Sequence, residues 1–208
     1  MQGYTINKKR LDELQQMVKL ITQKAESSLN VDEAKGLLEI INQYTQSFLL
    51  LSRYDSNSIQ TERLSGEVTY EISYEEAKSA IAELKRQLID KKEATELFGN
   101  EKDNSFAGTL QNIVQTFGGQ YLYPSVEEQA AHLLYFIIKN HPFSDGNKRI
   151  GAFMFVWFLE KNKHRFKRDG EVKINDNALV ALALLVAQSD PAEKELMIAL
   201  ITQLINSR

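Results

Sequence analysis

His141-Pro142-Phe143-Ser144-Asp145-Gly146-Asn147-Lys148-Arg149 is a polar nonapeptide between two strongly apolar segments, Val126 to Lys139 and Ile150 to Leu159. Before it, Ser125-Val126-Glu127-Glu128 has the form of a capping box. Val126, Ala130, Leu133, Leu134, Ile137 and Ile138 then recur at helical spacing. After it, Ile150, Phe153, Met154, Trp157 and Phe158 are joined by Phe155, Val156 and Leu159. A helix apolar nearly all round belongs at the centre of a bundle, so this second helix is expected to be the most buried of the protein. The reading is helix, charged loop, helix. The loop's residue types suit the handling of a phosphate beside a general base. His141 is its only side chain with an unperturbed pKa near neutrality, and Asp145 is a hard oxygen ligand of the kind Mg²⁺ prefers. Gly146 admits close approach of backbone to a ligand. Asn147, Lys148 and Arg149 stand at a helix N-terminus, where free N–H groups and the dipole favour anions. Arg149 adds a fork that matches phosphate oxygens. The plainer reading is a charged surface turn, but such turns rarely hold a base, a metal ligand and an anion nest between two core helices.

The rest of the chain is predominantly helical in pattern, with three prolines and ten glycines in 208 residues. That length suits one large domain, or one domain with a helical appendage. Hydrophobic residues at 43%, charged residues at 25% and a net charge of −3 describe an ordinary globular chain. Nothing global points to nucleic acid. Cysteine is absent, which removes disulfides and thiol chemistry and fits a reducing compartment. Charged residues break every apolar run, so no membrane span is expected. Residues 1–10 lack the apolar segment of a secretory signal, so a cytoplasmic location is the default, with a secreted effector role left open.

Leu11, Leu14, Val18, Ile21 and Ala25 form a narrow stripe, suited to a hairpin seam or a homodimer contact, with packing on the next helix preferred. A second helix follows Asn30-Val31-Asp32-Glu33 to about Leu51, and the pattern collapses over residues 54–66. The chain thus divides into an N-terminal helical hairpin, 1–55, and a catalytic part, 56–208. Residues 67–73 read as a short strand or an extended connection. Ser73-Tyr74-Glu75-Glu76 caps a helix expected to reach Phe98. The next runs from Asn104 or Ser105, with Phe106, Leu110, Ile113, Val114 and Phe117 on one face, until Gly118-Gly119 stops it. Lys161, Lys163, His164, Arg165, Lys167 and Arg168 read as a solvated turn rather than a nucleic-acid patch. Asn175 or Asp176 and Asp190-Pro191 open the last two helices. His132 reads as a packing residue.

The nonapeptide resembles the signature of the Fic/Doc family, His-Pro-Phe-x-Asp-Gly-Asn-x-Arg, and the chain more loosely resembles the Fic-containing part of RhuM-type virulence proteins. In such proteins residues 3–11 resemble an internal junction, which would make this chain a C-terminal piece. The resemblance implies an all-α Fic-type helical bundle with a small β-hairpin flap. It implies that His141 deprotonates a target hydroxyl, that Asp145 holds Mg²⁺, and that ATP is the substrate. Asn147 with the Gly146–Lys148 backbone would bind the phosphate under attack, Arg149 a distal phosphate, and Phe143 would anchor the loop. Gly119, Gln120, Tyr121 and Leu122 would form the flap that receives the target by strand addition. The plain alternative for them is a connecting loop.

Two positions depart from many nucleotide-transferring members, which carry Gly in place of Lys148 and Arg in place of Ala152. Asn147-Lys148-Arg149 resembles the Doc branch, whose members transfer a terminal phosphate, whereas Asp145-Gly146 does not. The closest match to the family's inhibitory motif is Ser56 to Thr61, with Gln60 where Glu is expected. Gln cannot pair ionically with Arg149, so that brake is lost or weakened, or Ser56 and Gln60 belong to a polar linker. An antitoxin or other inhibitory partner fits the resemblance as well. The preferred activity is transfer of AMP from ATP to a Ser, Thr or Tyr hydroxyl of a target protein. A Doc-like protein kinase and a catalytically silent nucleotide-binding module are the alternatives.

Overall fold

The computed structural model describes residues 68–206. The N-terminal hairpin, the boundary at 55/56, and Ser56 and Gln60 lie outside the described residues. Within them six α-helices and one two-stranded sheet follow in order. These are α1 (Tyr74–Asp90), α2 (Ser105–Ile113), β1 (Thr116–Phe117), β2 (Gln120–Tyr121), α3 (Val126–Asn140), α4 (Asn147–Lys161), α5 (Asp176–Gln188) and α6 (Lys194–Ile205). The fold is all-α with a small hairpin, and it divides into two compact units between Phe166 and Lys167.

In the unit ending at Phe166, residues 68–73 form an extended connection rather than a strand. The Asn162 amide holds it, accepting from the backbone N–H of Thr69 (3.1 Å) and Tyr70 (3.0 Å). The Ser73 hydroxyl caps α1, which buries Ala77 and Ile81. The helix stops at Asp90, two turns short of the expected Phe98. Lys92 turns the chain with φ 60°, and Phe98 is needed elsewhere. Helix α2 buries Phe106, Leu110 and Ile113 and also ends early. The helical spacing continues to Phe117, but Gly118 and Gly119 take φ of +60° and +81°. Those values make a two-residue hairpin turn, which converts Thr116 and Phe117 into a strand. Thr116 pairs with Tyr121 and Phe117 with Gln120. Phe117, expected on an apolar helix face, is 87% exposed.

Helix α3, not α4, is the most buried element. Eleven of its fifteen residues are buried, against six of fifteen in α4. Three polar positions are among the eleven. Glu127 faces His164 (3.0 Å), Gln129 donates to the Tyr123 carbonyl (3.0 Å), and His132 stacks on Tyr123 at 3.6 Å. Polar side chains with such partners can go inside. Helix α4 packs on α3 so closely at Gly151 that a Cβ there would lie 2.9 Å from Ile138. The Ser125–Glu128 capping box closes the start of α3 in both directions.

In the unit beginning at Lys167, the Asn175 side chain caps α5, and an Asp190–Glu193 capping box with Pro191 leads into α6. No helix among the described residues is long and apolar enough to cross a membrane.

Candidate active site

Helix α3 ends on His141 in the left-handed region, φ 49° and ψ 53°. For a residue with a Cβ this costs on the order of 1–2 kcal/mol. It releases the chain into Pro142, which cannot continue a helix. The loop that follows makes its backbone hydrogen bonds with residues 98–102 rather than with itself. Lys102 N–H donates to Pro142 O (2.9 Å), Ser144 N–H to Asn100 O (2.8 Å) and Gly99 N–H to Asp145 O (3.1 Å). Beneath the loop Phe143 is buried, its ring 4.8 Å from that of Phe106.

The Asn147 side chain closes the loop from the other end. Its Oδ1 accepts from Phe143 N–H (2.9 Å) and its Nδ2 donates to Phe143 O (2.8 Å). Both ends of the amide are thus engaged, and what Asn147 can offer a phosphate is its backbone N–H. Gly146 has φ +86°, and a Cβ on it would lie 2.3 Å from the Phe98 ring. The glycine serves a left-handed turn against a buried ring, a reason not visible in the motif itself.

The first intrahelical bond of α4 runs from Ile150 N–H to Gly146 O (2.8 Å). The N–H groups of Asn147, Lys148 and Arg149 precede it and have no helical acceptor. These three residues, with His141 and residues 144–146, wall a cleft of about 310 Å³. The sequence's base, carboxylate and anion residues are therefore brought together, with exposed His141, Lys148 and Arg149 at its rim. Asp145 is half-buried in the wall. Its Oδ1 accepts from Gly146 N–H (2.7 Å), and its other oxygen takes no hydrogen bond from the described residues. A carboxylate in the cleft wall, oriented by one backbone donor and with its second oxygen unengaged by the described residues, fits the modest protein share of a Mg²⁺ shell. The Arg149 Nη1 donates to Glu93 O (2.8 Å), and its guanidinium lies 4.8 Å from the centre of the Phe98 ring.

Gly119, Gln120, Tyr121 and Leu122 lie together in the hairpin and just past it, but they are not in the cleft wall. The Tyr121 hydroxyl donates to the Glu71 carboxylate, which holds the Tyr121 pKa above its ordinary value. In the basic run after α4, Arg165 meets Glu160 (3.1 Å) and Lys167 meets Glu171 (3.0 Å), but His164 departs from the expected solvated turn, because it is drawn in against the buried Glu127. Sequence reasoning missed residues 93–102 as part of the site. Their one signal is Phe98-Gly99, an aromatic–glycine pair after a polar run.

Residues 75–159 match the model of the family described as Fic/DOC family. The match starts within α1, ends near the close of α4 and contains every residue of the cleft wall. No curated protein and no solved structure matches the chain, so no relative supports the RhuM-type resemblance.

Proposed function

We propose that this chain is a Fic-type protein adenylyltransferase that moves AMP from ATP to a hydroxyl of a target protein. What supports the reading is the cleft, in which an exposed imidazole and the open N-terminus of α4 share one volume. In this scheme His141 accepts the proton of a Ser, Thr or Tyr hydroxyl while that oxygen bonds to the α-phosphorus. The bond from that phosphorus to the bridging oxygen breaks, and pyrophosphate leaves. The N–H groups of residues 147–149 and the Arg149 fork donate to phosphate oxygens, so positioning and charge complementarity carry the rate. Mg²⁺ bound at Asp145 would offset phosphate charge. The target segment lies along the hairpin edge, where backbone pairing accepts many sequences.

One observation favours a second reading, a Doc-like protein kinase acting on the γ-phosphate. Lys148 contributes to the cleft wall, and a cation there suits a terminal phosphate presented by a reversed nucleotide. Incubation with cell lysate and ATP labelled at the α- or γ-phosphate decides between them, with His141→Ala as control. Protein-bound label from α alone is expected. Label from γ alone would establish the kinase, and label from neither would leave a silent nucleotide-binding module.

A further inference from the structure

We propose that Phe98 is a positioning residue for the anion site, holding Arg149 so that the guanidinium is set for phosphate before any ligand arrives. The inference rests on reading the cleft as a phosphate site. Phe98 has no exposed surface, yet it adjoins three of the cleft's residues. Its ring lies under the Arg149 guanidinium at 4.8 Å and fills the space a side chain on Gly146 would need. Its backbone bridges to Asp145 in a parallel arrangement, next to the Gly99 N–H that donates to Asp145 O. The Phe98 backbone is held by its N–H, which donates to Thr95 O (3.0 Å), and its ring packs against Gly146.

An exposed arginine normally samples many rotamers and loses that freedom when it grips an anion. Here the flat ring supports one face of the guanidinium and the Glu93 carbonyl takes one N–H. A guanidinium has five N–H donors, so most remain for phosphate oxygens. Lysine has no planar face to lie on the ring, so charge alone would not reproduce the arrangement. Phe98 thereby acts through Arg149, not on the ligand.

The test is titration calorimetry of inorganic pyrophosphate into the parent protein, Phe98→Leu, Arg149→Ala and the double variant. Phe98→Leu is expected to weaken binding about tenfold, and the double variant to bind no more weakly than Arg149→Ala alone. A tenfold loss that persists in the Arg149→Ala background would mean that Phe98 only supports the fold, and would overturn the proposal. Should Phe98→Leu fail to fold, Arg149→Lys, a change at an exposed position, carries the test. It is expected to lose nearly as much affinity as Arg149→Ala, and retained affinity overturns the proposal. So does a parent protein that binds no pyrophosphate. A parent that binds pyrophosphate with the expected pattern but transfers no label refutes the proposed activity and leaves this inference standing.

Discussion

His141 makes no hydrogen bond with the described residues, and it is reached only through a left-handed turn that disfavours any side chain. A backbone held against its own preference at a cleft rim is consistent with a position selected for chemistry. His141→Ala is therefore expected to abolish transfer, with ATP affinity in calorimetry nearly unchanged, since the donors proposed for phosphate lie on α4. Equal loss of binding would move His141 into the binding machinery instead. Asp145→Ala is expected to remove most activity together with the Mg²⁺ dependence of nucleotide binding, and an unchanged metal titration would count against that role. Asn147→Ala has a different expected signature. It leaves the Phe143 N–H and C=O without their partners, so urea unfolding should show a loss of about 1–3 kcal/mol. If stability were untouched while phosphate affinity fell, the amide would be serving the ligand and not the loop.

The start of α4 is built as much by what is missing at position 146 as by what is present. Gly146→Ala meets both an unfavourable φ and the buried Phe98 ring. It should cost about 1–3 kcal/mol from the backbone alone, and more from the displaced ring. Gly119→Ala, with φ +81° and nothing within 4 Å of a Cβ, should lose only the backbone part, on the order of 1–2 kcal/mol. Parallel thermal unfolding of the two variants separates the terms, and equal losses would show that Phe98 yields freely. The hairpin also shows how local pattern misleads. The positions from Phe106 to Phe117 fit a helix at every step, yet the two glycines admit a tight turn that a helical count does not register. Conversely the capping box at Ser125 was legible, because four adjacent residues contain the entire hydrogen-bonded arrangement, whereas at Asp190 only the start with Pro191 was read and the capping box was not.

The same distinction governs the fold and the site together. The all-α character and six residues of the cleft could be read from the sequence because helical periodicity and the nonapeptide are local. The burial of the polar positions of α3 could not, since Glu127 goes inside only with His164 beside it. Nor could the role of residues 93–102, whose partners lie far along the chain: Glu93 and Arg149 are 56 positions apart. That separation affects how the protein folds. Helices α3 and α4 have local reasons to form, whereas the loop joining them, beyond its local bonds to the Asn147 and Asp145 side chains, has its backbone–backbone partners in residues 98–102, so its closure entropy falls late in folding. During refolding, far-UV ellipticity should recover before the protein can capture pyrophosphate, and the two traces should separate in a stopped-flow experiment. A chain still emerging from synthesis would thus have its helices before it has a grip on nucleotide.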